Sequence, residues 1–184
     1  MLKCKLGKLN LELKALGEDE SGMVLVEFAF VSLALLYMLM NGLEVARWYY
    51  QRTEVSHAIH SASQAVLRSC DPTKQLPATT NCPNFNTYVA EGLASTALGN
   101  SIVLTSGFPT EAYYCLNSSK TLQQVGTTAS ARPSDCTAVG DSTHRPGDYV
   151  QIQASYTFSP LFTGLTAGSL MPTNMTSTGF IRLL

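Results

Sequence analysis

One stretch limits what this chain can fold into: MVLVEFAFVSLALLYMLMNGL, residues 23–43, in which Glu27 is the only charged residue. In a helix rising 1.5 Å per residue these 21 residues reach roughly 30 Å, the thickness of a bilayer's hydrocarbon core. A core helix of a soluble domain is usually shorter and keeps a polar stripe, so the expectation is a membrane-spanning helix. Arg47, Trp48, Tyr49 and Tyr50 follow it, and an arginine among aromatic rings suits the headgroup layer. Within the run Glu27 is the anomaly, because a charge at mid-membrane costs roughly 3 kcal/mol on insertion scales and marks a functional residue by default.

The rest of the chain is polar. A formal net charge of -1 with only 12 Lys plus Arg in 184 residues leaves no concentrated basic face for a phosphate backbone, which argues against nucleic acid. Cys4 precedes the apolar run, and Cys70, Cys82, Cys115 and Cys136 follow it in a loop-rich region. An even set of that kind reads as two disulfides, which persist outside the cytosol. The region after the run is therefore expected on the extracytoplasmic side. Four cysteines allow three pairings and spacing alone does not choose; nearest neighbours, Cys70 with Cys82 and Cys115 with Cys136, are the expectation. Closing loops of about 13 and 22 residues would contribute on the order of 3 kcal/mol each in the chain-entropy model. No CxxC spacing supports a zinc site instead, and no metal or other cofactor is expected. Lys3, Lys5, Lys8 and Lys14 before the run add a modest bias for a cytoplasmic N-terminus.

The pattern divides the chain into a polar leader, residues 1–22, a transmembrane helix, 23–46, an extension of the same helix, 47–69, and an α+β domain, 70–184. In the extension Val55, Ala58, Ile59, Ala62 and Val66 recur at spacings of three and four, an amphipathic pattern that predicts packing against a globular domain. One helix is thus expected from about 23 to 68, with Asn41-Gly42 as its soft point and Asp71-Pro72 as its end. NFNTYVAEGLASTALGN, residues 84–100, predicts a second helix stopped by Gly99-Asn100. SIVLT (101–105) and AYYCL (112–116) predict short strands, 117–147 a long loop pinned by Cys136, and TSTGFIRLL (176–184) a closing strand. In DYVQIQASYTF, residues 148–158, Val150, Ile152, Ala154, Tyr156 and Phe158 alternate with polar residues, as in a strand with one buried face in an antiparallel sheet.

The chemistry lies at the start of the apolar run. Gly22 stands where the polar leader meets the membrane, and Glu27 is the fifth residue after it. A cut after Gly22 would expose the amino group of Met23, and glycine there lets an extended backbone enter a protease without side-chain interference. Glu27 would then pair with an ammonium, its own or a neighbour's, which offsets much of its desolvation cost. GMVLVEF, with Glu27 and Phe28 adjacent, resembles the processing site of type IV pilin-like proteins, and specifically the TadE-like family of minor pseudopilins of tight-adherence pili. The close resemblance covers roughly residues 18–66, and GDYVQIQASYTFSPLFTGL with the short strand after it resembles the family's tail more loosely.

The resemblance implies a pilin-like α+β fold, in which a long N-terminal membrane-spanning helix packs its outer half on a small antiparallel sheet domain with disulfides. It implies a non-enzymatic minor pseudopilin, cut after Gly22 by a prepilin peptidase of the inner membrane. Its partners would be other minor pseudopilins, the major pilin and the inner-membrane assembly platform. By the same resemblance Glu27 and Phe28 would serve assembly, and the protein would move from the inner membrane, with its domain in the periplasm, towards an extracellular pilus. The competing reading is an unprocessed single-pass protein with a periplasmic scaffold or binding domain. A secreted enzyme is disfavoured: there is no G-x-S-x-G, no glycine-rich phosphate loop, and His57 and His60 lack a third ligand.

Overall fold

The computed structural model of the chain describes residues 20–71, 74–164 and 166–184. The leader up to residue 19, with Cys4, and the proline stop at Pro72 lie outside the described residues. The elements are α1 (Glu20–Ser69), α2 (Ala78–Asn81), α3 (Phe85–Ala94), β1 (Val103–Leu104), β2 (Thr110–Leu116), β3 (Leu122–Thr127), β4 (Gly147–Thr157) and β5 (Asn174–Arg182). They form two compact units. One is the helix up to Val45 with the segment Leu161–Leu170; the other is Ala46–Pro160 with Met171–Leu184.

In the first unit the apolar part of α1 is bare: an 18-residue window of mean hydropathy 2.3 has none of its residues buried. Gly42 does not interrupt the helix, and Asn41 beside it donates its Nδ2 hydrogen to the Tyr37 carbonyl at 2.8 Å, one turn back.

In the second unit the amphipathic stripe of α1 is buried. Val55, Ala58, Ile59, Ala62 and Val66 share one core with Phe85, Val89 and Leu93 of α3 and with Val150, Ile152 and Ala154 of β4. Two close approaches fix the packing. A Cβ on Gly92 would lie 2.3 Å from the Ala62 Cα, and one on Gly179 would lie 2.3 Å from Ile59 Cγ2. Helix α3 ends at Ala94, earlier than predicted. The Ser95 hydroxyl donates to the Gly92 carbonyl, and such local side-chain bonds compete with helix propagation.

The sheet is antiparallel throughout and centred on β4. One edge of β4 pairs with β5 from Tyr149 to Thr157. The other is divided between β2, facing Gly147–Gln151, and β1, facing Ala154 and Ser155. Strand β3 extends the sheet beyond β2, which corrects the expectation of a featureless loop over 117–147. Asn117 starts that hairpin by accepting the Ser119 and Thr121 amides, each at 3.0 Å, on its side-chain oxygen, and Lys120 takes the left-handed φ of 59°. Such an Asx turn supplies the reversal that alternating apolar residues did not announce. Disulfides join Cys70 to Cys82 and Cys115 to Cys136.

Strands β2 and β4 of this sheet each carry a buried carboxylate, Glu111 and Asp148. Glu111 accepts the Ala78 amide on one oxygen and the Thr79 amide and hydroxyl on the other. Asp148 is 2% exposed. Its burial, then the neighbouring charge of Glu111, pushes its carboxyl up to about 6, against the pull of Arg132. A carboxyl raised on folding binds a proton that the unfolded chain releases, so the contribution of Asp148 to stability falls as pH rises from about 4 to about 6 and is flat above. Asp148→Asn is therefore expected to raise stability at pH 7.5 by about 2 kcal/mol. Its advantage should vanish below about pH 4, a comparison read from denaturant midpoints at the two pH values.

Candidate functional site: the bare helix start and its carboxylates

Helix α1 places Met23 and Glu27 four residues apart, one above the other on the same face. Met23 is 77% exposed and Phe28 69%, and Glu27 has no hydrogen bond or ion pair among the described residues. Phe28, Val31, Ser32, Leu35, Leu36 and Leu39 line a shallow groove of about 300 Å³ on one side of the rod, the i, i+3, i+4, i+7 spacing through which helices interlock. A Cβ at Gly22 would meet nothing within 4 Å. Packing among the described residues therefore places no demand for glycine at that position.

The four residues expected at the headgroup layer divide. Arg47 donates Nη1–H to the Ser159 carbonyl at 2.8 Å and lies over the Phe158 ring, 5.6 Å from its centroid. Trp48 donates its indole N–H to the Pro172 carbonyl at 3.2 Å and carries the Arg52 guanidinium 5.3 Å above its ring. These two are held by the protein. Tyr49 and Tyr50 are exposed.

A second carboxylate on α1 had no part in the sequence reading. Glu44 is fully buried, and its Oε1 accepts the Leu161 and Phe162 amides at 2.5 and 3.0 Å. One turn earlier, Asn41 Oδ1 accepts the Ala167 amide at 2.8 Å. The two residues form a clasp that holds Leu161–Leu170 on the helix. The sequence signal was slight: two polar residues three apart, one at each side of the end of an apolar run, with a partner segment more than a hundred residues away.

The four disulfide cysteines are Cys70, Cys82, Cys115 and Cys136, all in the second unit. A cleft of about 400 Å³ opens beside Cys115 and Cys136. Its Asp141 carboxylate is held well below the usual range by the Thr143 hydroxyl and amide and then by His144, 2.6 Å away. Neither a serine nor a free cysteine lines that cleft; the Thr143 hydroxyl, 3.0 Å from His144 Nδ1, is tied to Asp141 at 2.6 Å. Among the described residues no group of three or more His, Cys, Asp or Glu could hold a metal ion. His57 and His60 are both exposed.

Residues 22–64 match the family model for TadE-like protein. The match spans most of α1 and none of the sheet. No curated protein and no solved structure matches the chain. Over residues 22–64, under a quarter of the chain, the likeness is to TadE-like protein.

Proposed function

We propose that this protein is a minor pilin of the tight-adherence pilus: prepilin peptidase cuts it after Gly22, and the freed helix enters the pilus or starts its assembly. What carries the reading is Glu27, the one carboxylate of the apolar run 23–43, five residues after Gly22 on the bare part of α1 and inside the TadE-like match. Before assembly the rod from Met23 to about residue 46 spans the inner membrane, with Tyr49 and Tyr50 at the headgroups and the disulfide-bonded domain in the periplasm. The cut leaves an ammonium at Met23 on the same face as Glu27. Moving from lipid to neighbouring apolar helices changes the burial of the rod little, so packing holds the assembly while the ion pair selects its register. The role is structural, and the partners are the peptidase, the platform, other minor pseudopilins and the major pilin.

N-terminal sequencing of the protein from membranes and from sheared fibres tests this, with Met23 expected as the first residue in both. Glu27→Ala should still be cut and should be lost from the fibre fraction. Full-length protein in functional fibres, or normal incorporation of the alanine variant, overturns the proposal. An uncut chain that stays in the membrane is the result for a single-pass scaffold.

A further inference from the structure

The segment Leu161–Leu170 combines features seldom found together on a wet surface. It carries no charge, and neither does any residue from Tyr149 to Ile181. Leu170 is 88% exposed, more than any other large apolar residue described, and Leu161 is 60% exposed. Yet the segment is not loose. The Asn41 and Glu44 clasp holds three of its amides, the Thr166 hydroxyl donates to the Phe162 carbonyl at 3.0 Å, and Gly168 lies so close to Glu44 that a Cβ there would stand 2.8 Å from Oε2. A carboxyl side chain is buried under a segment that leaves two leucines exposed. The clasp engages α1 at residues 41–44, where the apolar run ends.

From this placement we infer that Leu161–Leu170 is a lipid-contacting foot, whose Leu161 and Leu170 enter the headgroup–acyl boundary beside the last turn of the membrane span. The inference rests on the reading that α1 crosses the bilayer. An uncharged, leucine-bearing loop at that level continues the apolar surface of the span, and the interface accepts apolar groups about 5–10 Å deep. Glu44 and Asn41 are positioning residues: they fix the loop to the helix and so fix how far the rod sinks.

The test uses the full chain in vesicles of phosphatidylcholine and phosphatidylglycerol, in a Cys4→Ser background. An environment-sensitive fluorophore is placed at Leu170→Cys, at Leu33→Cys in mid-span, and at Ser118→Cys in the exposed hairpin turn. The label at 170 should be quenched by lipids brominated near the headgroup and shielded from aqueous iodide; that at 33 by lipids brominated deep in the chains; that at 118 by iodide alone. Adding Glu44→Ala should return the 170 label to the iodide accessibility of position 118. Iodide quenching at 170 equal to that at 118, with 33 deep in lipid, overturns the foot and leaves the span standing. Iodide quenching at 33 as well removes the span itself. Shielding at 170 without quenching by brominated lipid means that another protein surface covers it, which also overturns the inference. An unchanged 170 depth in the Glu44→Ala chain overturns the positioning role.

Discussion

Gly22→Val is expected to leave the protein uncut and to remove it from sheared fibres, while its folding is unchanged. The two halves of that result have separate causes. Among the described residues nothing lies within 4 Å of the site of a Cβ at Gly22, so a larger side chain has room there, and valine costs a helix only a few tenths of a kcal/mol more than most residues. A protease binds its substrate backbone extended and close, and a branched side chain beside the scissile bond pushes it away. Displacement of about 1 Å from the productive geometry is enough to cost about a hundredfold in rate. Immunoblots of the membrane fraction should show one band, larger than the wild-type band by the leader, and circular dichroism of the purified chain should match wild type. Cutting at the wild-type rate would show that no enzyme reads this glycine.

Gly92→Ala should produce the largest loss of stability of any single methyl addition in the second unit, on the order of 3 kcal/mol or more. The added Cβ would stand 2.3 Å from the Ala62 Cα and 2.7 Å from the Ala62 nitrogen. Both are backbone atoms of α1, which cannot turn aside as a side-chain tip does, so α3 must move off the helix and open the core around Val89 and Ala58. For a chain of this size that corresponds to a fall in melting temperature of about 10 °C. Ala62→Gly should not rescue it, since the clashing Cα and N remain. Gly42→Ala, which meets nothing within 4 Å, is the matched control and should melt as wild type. A wild-type midpoint for Gly92→Ala would contradict the helix contact itself.

What could be read from the sequence was whatever repeats along one element. The stripe from Val55 to Val66 and the alternation from Val150 to Ala154 carry their partners implicitly, because a period fixes which face must be covered, and both faces meet in one core. Strand β3 was hidden by its position at the sheet's edge: it pairs on one side only, and Gln123 and Gln124 are exposed, so no apolar alternation was required of it. The clasp was hidden for a different reason. Its donors are backbone amides of Leu161, Phe162 and Ala167, and backbone donors leave no trace in residue identity. The proposed processing motif is local and linear and needs no fold to be read, while the division of Arg47 and Trp48 from Tyr49 and Tyr50 depends on carbonyls at Ser159 and Pro172, supplied by distant turns.

Strand β4, which joins β1, β2 and β5, begins only at Gly147, and β5 runs to Arg182. Hence the sheet has no central member until four-fifths of the chain has been synthesised, and pairings of such long sequence separation form late. In the order of synthesis the greasy rod comes long before the strands that cover its distal half. Under the proposed processing, a peptidase would reach Gly22 on a chain whose sheet has not yet formed, so trimming and domain maturation would be independent of one another.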